Sequence, residues 1–347
     1  MRKLLFALTL LLASPAWACD HPRQMDGFKT CANVEKAFEE GALVHYAPDP
    51  ESDMANYLTA FRKAFPKIQT NYMRLQTGAL YARLLAERQA KTYIPDTLIL
   101  TEVGFAIDLQ KRGGYALYMS PESDAYKPYQ RSSPAGYYTW DNVIIAGIAY
   151  NPTLLAADQA PKSFKDLINP LWANGVNTKL STSGLQHFTW YYLKTLYGDD
   201  FWKKFGALEP RGFDSYVQQF DRMVSGQDKV VAMAQYSGYL IAKAKGAPVT
   251  FVIPEEGMIG VPGVMGVMDH APHPEAARLF LDWYLGVPGQ TVMANTIRNY
   301  SPRPDVAPPL GGVPITDFKL IVPEEWEPFL KTHTQFVKEW DKIVGMK

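Results

Sequence analysis

Cysteine is almost missing from this chain: Cys19 and Cys31 are its two representatives in 347 residues. Their spacing is not that of a zinc site and no further thiol is available, so a Cys-built metal centre or a dithiol catalyst is excluded. An excess charge of either sign is also missing. The 35 basic and 35 acidic residues cancel, which removes the electrostatic case for nucleic acid or an anionic membrane surface as a partner. The six histidines are scattered without ligand spacing. There is no G-x-S-x-G elbow, no H-E-x-x-H and no G-x-x-x-x-G-K, so nothing in the sequence supports an enzyme. No internal repeat, low-complexity segment or long apolar run follows the first twenty residues.

What is present begins with a targeting segment. Arg2 and Lys3 precede the apolar run Leu4–Leu12, and Ala16-Trp17-Ala18 reads as a small-x-small cleavage site. The run is too short for a membrane span, which needs about 20 apolar residues. Residues 1–18 are therefore expected to be a signal peptide cleaved after Ala18, and the mature protein to be periplasmic. Cys19 directly follows that site, so a lipoprotein reading stays open, although Ala16 stands where a Leu-like residue is usual. In an oxidising compartment Cys19 and Cys31 are expected to pair, closing a loop of about 13 residues that adds roughly 3 kcal/mol.

The apolar segment within Tyr137–Pro152 organises the rest. Asn142–Tyr150 is uncharged, rich in Val, Ile and Ala, and ends on Asn-Pro, as a strand buried on both faces would. Gly260–Met268 is a similar run about 110 residues on. Between and before them, strands alternate with helical patterns: Ala42–Tyr46, Ile68–Leu75 and Thr97–Thr101 in the first half, Val176–Leu180, Val230–Ala234 and Val249–Ile253 in the second. Met54, Tyr57, Leu58, Phe61 and Phe65 recur at helical spacing and form a core face. The tail, Glu324–Val344, reads as a final amphipathic helix across the outside. The expected fold is α/β with two lobes, each a mixed, mostly parallel sheet flanked by helices. Lobe 1 is 41–138 with 262–347, lobe 2 is 144–258, and hinge strands lie near 139–150 and 257–268.

Ligands in open parallel sheets bind beyond the carboxyl ends of the strands. That rule nominates Asp49, Thr77, Gly78, Glu102, Ser181, Thr182, Ser183 and Tyr236, together with Trp140 at the head of the crossover strand. In Leu180-Ser-Thr-Ser-Gly184 a strand runs into hydroxyls at a helix start, where free N–H groups favour an anion. Simple helix capping accounts for the same residues equally well. Tyr191 and Tyr192 belong to an apolar stripe and read as core; Tyr236 and Tyr239, at a helix start, are the better phenolic candidates.

The elements TGALYARLLAE, PDTLIL, VIIAGIAYNP, SFKDLINP, LSTSG, VVAMAQY and PEAARLFLDWYLGVPGQ together resemble the periplasmic solute-binding proteins of ABC importers. The branch is the one that contains ferric-ion-, phosphonate-, sugar-phosphate- and polyamine-binding proteins. The resemblance implies the type II periplasmic-binding-protein fold, with a double crossover hinge closing on a small-molecule solute, and delivery to an ABC permease in the inner membrane by a monomer without cofactor. Ferric binders of the branch carry adjacent tyrosines after the strand matching Val230–Ala234. Here the residues are Tyr236-Ser237-Gly238-Tyr239, and the loop after Ala42–Tyr46 has no histidine. The hydroxyl-rich helix starts resemble organic-anion cradles instead, so a phosphonate, sugar phosphate or carboxylate is the first expectation and ferric iron, held by Tyr236 and Tyr239, the alternative.

Overall fold

The computed structural model describes Cys19, residues 21–323 and residues 325–344; the expected export segment lies outside the described residues. A short hairpin, β1 (Arg23–Gln24) and β2 (Lys29–Thr30), leads into α1 (Val34–Glu40). The first half then alternates β3 (Ala42–Ala47), α2 (Glu51–Ala64), β4 (Gln69–Arg74), α3 (Thr77–Gln89), β5 (Thr97–Leu100) and α4 (Val103–Lys111). The long strand β6 (Thr139–Tyr150) crosses to the second half. There β7 (Val176–Lys179), α5 (Gly184–Tyr197), α6 (Asp199–Gly206), β8 (Arg211–Phe213), α7 (Tyr216–Val224), β9 (Val230–Gln235), α8 (Tyr236–Ala244) and β10 (Thr250–Val252) follow. The chain returns through β11 (Met258–Val267) to α9 (Pro274–Leu285), α10 (Val287–Thr296), β12 (Leu320–Ile321), α11 (Trp326–Lys331) and α12 (His333–Ile343).

Two parallel groups, β4-β3-β5 and β9-β7-β8, flank the central pair β11 and β6 in one curled mixed sheet. β11 pairs antiparallel with β5 through Val264–Val267 and with β6 from Ile259 to Met265, while the far end of β6 pairs with β9. The two crossover strands are thus bonded to one another and carry the sheet from half to half without a break. Both are covered on their two faces, which is why they read as uncharged runs rather than as alternating strands.

The helices cover the sheet with the faces their spacing requires. Met54, Tyr57, Leu58 and Phe61 of α2 are buried against Phe280, Trp283 and Tyr284 of α9, and each such side chain contributes about 1.5–3 kcal/mol by leaving water. The second half has its own core around Phe188, Trp190, Trp202 and Phe205. The tail differs from its expectation. It is two helices, not one, and it straddles the halves: Phe336 and Trp340 are buried in the core around Trp202, whereas Leu330 lies over Gly104 of α4. Three large aromatics at Phe329, Phe336 and Trp340 anchor it more deeply than a solvent-facing helix allows.

Cys19 and Cys31 form a disulfide. The arm it closes is pinned by Asp282 of α9, whose Oδ2 accepts from the Thr30 hydroxyl at 2.7 Å and the Cys31 N–H at 3.1 Å. No described helix is long and apolar enough to cross a membrane.

One fully buried carboxyl, Asp141 in β6, gives the fold a pH dependence. Its Oδ2 accepts from the Asn142 amide at 2.7 Å and the Tyr284 hydroxyl at 3.1 Å, and burial, reinforced by the charge of Asp49, pushes it up to about 8. An unfolded Asp titrates near 3.9. Between about pH 4 and 8 the folded protein therefore holds a proton that the unfolded chain has released, and stability falls as pH rises, by at most ~1.4 kcal/mol per unit for this group. Asp141→Asn should melt higher than the parent at pH 8 and show a flatter profile down to about pH 5 in thermal denaturation. Parallel profiles for the two proteins would show that Asp141 is already ionised in the fold.

Candidate functional site

The carboxyl ends of the two parallel groups face one another across a narrow cleft enclosing about 450 Å3 of space, its open mouth included. Asp49 comes to it after β3, Arg74 from the end of β4 and Gln76 just beyond it, Thr101 after β5, Lys179 and Ser183 around the end of β7, and Gln235 from the end of β9. The halves are drawn together. The Gly78 N–H of α3 donates to the Thr182 carbonyl at 3.1 Å, and a Cβ on Gly184 would lie 2.8 Å from the Thr101 carbonyl oxygen, so glycine is what permits this approach.

Charge decides the character of the cleft. Arg74 forms an ion pair with Asp214, which lies just ahead of α7 in the second half. The Asp214 backbone carbonyl accepts from Gln76 Nε2 at 2.7 Å and from Lys179 Nζ at 3.5 Å. Lys179 is almost fully buried, and burial is the main reason its ammonium is pulled down to about 8, against the raising effect of Asp214. Two cations from opposite halves thus converge on one residue. Opposite them, burial and the charge of Asp53 push Asp49 up to about 7, and Asp49 Oδ2 is buried without a hydrogen-bond partner. The Tyr216 hydroxyl donates to Asp53 across the seam, and burial keeps Asp53 above the ordinary carboxylate range.

The residues nominated from the sequence are distributed unevenly. Asp49 and Ser183 line the cleft, but the Ser183 hydroxyl caps α5 by accepting from the Gln186 N–H at 3.4 Å. Thr77 is fully buried and its Oγ1 is used at 2.7 Å by the Thr101 hydroxyl and at 3.1 Å by the Thr101 N–H. Gly78 and Thr182 meet each other, and Ser181 and Thr182 are not among the lining residues; Thr182 Oγ1 is buried and unpartnered. Trp140 sits elsewhere, edge-on to Tyr129 at 5.6 Å in a surface recess shared with Tyr138 and Trp326. Tyr236 packs among Tyr239, Phe251, Phe318 and Tyr300 in a core beside β6, and neither Tyr236 nor Tyr239 lines the cleft.

Glu102 turns to the back of the seam. Its Oε1 lies 3.2 Å from His187 Nδ1, and burial pushes Glu102 up to about 7 and His187 down to about 3. His333 of α12 completes the group.

The sequence reading missed Arg74, Lys179 and Asp214. The first two are the last residues of β4 and β7, three places before Thr77 and two before Ser181, so the strand-end rule pointed at the right loops. Asp214 stands where a helix cap would be expected, but Ser215 performs that task by accepting from the Val217 N–H.

Among solved structures the chain is similar to AfuA of Actinobacillus pleuropneumoniae, a periplasmic binding protein with fructose-6-phosphate bound. That match has TM-score 0.78 at 19% identity, over 88% of this chain and 99% of that one. It is similar as well to the substrate-binding protein of an ABC transporter from Agrobacterium tumefaciens, with TM-score 0.76 and 18% identity, covering 87% and 94%. Iron-bound HitA from Pseudomonas aeruginosa matches with TM-score 0.71 and 18% identity, covering 87% and 99%. No curated protein matches in sequence. These neighbours share the type II periplasmic-binding-protein fold seen here. Residues 94–311, more than half of the chain, match the family model for the bacterial extracellular solute-binding protein, and the chain belongs to that family.

Proposed function

We propose that this protein captures a small organic anion, a sugar phosphate, phosphonate or carboxylate, between lobes formed by the two parts of the sheet on either side of β6 and β11. It then delivers the solute unchanged to an ABC permease, acting as a periplasmic monomer released from its signal peptide after Ala18. The carrying observation is the convergence of Arg74 and Lys179, from opposite halves, on Asp214. Asp214 holds the place that the anionic group of a solute would take. Arg74 supplies a planar fork suited to phosphate or carboxylate, and Lys179 a point charge. Asp49, with one oxygen free, is set to accept from a hydroxyl on the same solute. The fructose-6-phosphate complex of a similar fold is in keeping with such a solute. Ferric iron has weaker support in this cleft because the phenols of Tyr236 and Tyr239 are packed in an aromatic core.

A thermal-shift screen over sugar phosphates, phosphonates, carboxylates and Fe(III) should find its stabilising compounds among the organic anions, since ligand that binds the folded state raises apparent stability by mass action. A hydrogen bond to a charged group is worth about 1.5–3 kcal/mol, so Arg74→Gln should weaken binding of the best anion by roughly 10- to 100-fold at about 1.4 kcal/mol per decade. Ser183→Ala is the comparison: loss of a cap costs about 1 kcal/mol of stability and should leave affinity nearly unchanged. Stabilisation by Fe(III) alone, with a visible charge-transfer band, would reverse the choice of ligand.

Two further substitutions separate the charge from the closure. The Arg74–Asp214 pair is partly exposed, a setting in which such pairs are worth about 0.2–1 kcal/mol. Asp214→Asn should therefore raise affinity for the anion by up to about 5-fold in calorimetric titration; a fall would mean that Asp214 itself binds the solute. Gly184→Val should weaken binding without touching the solute, because the added carbons oppose the approach to Thr101. Unchanged affinity would show that this approach is not needed for capture.

A further inference from the structure

Glu102 follows β5, His187 lies in the second turn of α5, and His333 opens α12. One carboxylate oxygen and one nitrogen from each ring lie within 4.8 Å of one another. The hydrogen bonds around His187 fix its tautomer. The Thr332 hydroxyl has a single proton, donated to the Phe329 carbonyl at 2.6 Å, so in its 3.0 Å contact with His187 Nε2 the ring N–H is the donor. The neutral ring then carries its lone pair on Nδ1, aimed at Glu102 Oε1, itself an acceptor unless protonated. Two lone-pair atoms 3.2 Å apart are held together only by a shared proton, and a cation can take that proton's place.

The surroundings hold this arrangement in position. The His187 ring is stacked between Phe329, at 4.1 Å between centroids, and Phe336, at 4.7 Å. His333 lies edge-on to Phe105 at 4.8 Å. A liganding imidazole whose other nitrogen is anchored by a hydrogen bond, within an apolar shell, is the usual construction around a bound transition metal. We infer that Glu102, His187 and His333 bind a divalent transition-metal ion of the Zn2+ class, with a fourth position left to water. At Zn–N and Zn–O distances of about 2.0–2.2 Å, tetrahedral ligand atoms lie roughly 3.3–3.5 Å apart. The Glu102–His187 spacing of 3.2 Å lies just short of this value, and the half-buried His333 closes the remainder by a small side-chain rotation. Two imidazoles and one carboxylate favour such ions over Ca2+ or Mg2+.

The three ligands come from the first half, the second half and the tail, so the ion would tie all three together behind the solute cleft. This site is independent of the solute reading. To test it, tag-free, chelator-stripped protein is titrated with Zn2+ by calorimetry and with Co2+ by visible absorption. One equivalent should bind, with the d–d bands of a tetrahedral Co2+ site, and Zn2+ should raise the melting temperature. Glu102→Gln and His333→Gln should each lower the affinity by 100-fold or more and abolish the bands, whereas Thr332→Val, which removes only the anchor, should cost roughly 10- to 100-fold. The half-buried His333 decides the matter if the buried Glu102 variant does not fold. Absence of saturable binding in the parent, or unchanged binding in His333→Gln, would overturn the site and leave a Glu-His-Thr hydrogen-bond chain.

Discussion

The pairing of β6 with β11 is the constraint from which the remaining architecture follows. Residues of both strands are buried along nearly their whole length, and a buried backbone N–H or carbonyl left unpaired costs as much as a lost hydrogen bond. Each strand must therefore find a ladder partner at every point between the halves, and the partner that spans the same distance is the other strand. The result is a sheet that is continuous across the seam, with irregularities in register at Gly263/Val264 and Gly147/Ala149. At these two points the strands bend and their local twist increases. The parallel groups on either side then point their carboxyl ends into one cleft, which is where loops rich in polar side chains collect.

Electrostatics sets what that cleft can hold. Burial raises Asp49, Asp141 and Glu102 toward or above neutrality, so the seam carries less negative charge than its composition suggests. Arg74 and Lys179 stand beside it. A fully desolvated ion pair often returns no net stability, because dehydrating both partners offsets their attraction. The Asp214 side chain, by contrast, stays more than a third exposed, and its pair with Arg74 is correspondingly weak. An anion arriving from solution can displace such a partner, whereas it could not easily displace a buried one.

Fold and site were legible in the sequence to different depths, for physical reasons. Strand positions came through because period and burial write themselves locally: Thr97–Leu100, Val176–Lys179 and Val230–Gln235 differ from their expected bounds by one residue or none at each end. The tail was misjudged because Phe329, Phe336 and Trp340 fit an amphipathic helix equally well whether its apolar face meets one lobe or bridges two. The site was harder. Helix caps and anion cradles use the same Ser and Thr residues, and only the geometry shows that Ser183 and Thr77 are committed to backbone and neighbour. Arg74 and Lys179 resemble surface cations in the sequence, and what makes them different is burial by the opposite half. Glu102, His187 and His333 are separated by 85 and 146 positions, beyond any local motif.

The anion cleft and the Glu102–His187–His333 cluster occupy two sides of the same seam, and this placement couples them. In the arrangement seen here Arg74 reaches Asp214 and Glu102 reaches His187. If each is complete only in that arrangement, an anion in the cleft and a cation behind it both select it. Linkage then requires that each strengthen the other by the same factor, with no contact between them. The size of that factor is bounded by the free-energy difference between open and closed forms in the absence of either. A tight closed form without ligand would leave both bindings strong and nearly independent. A mostly open one would make each weak alone and strongly cooperative together.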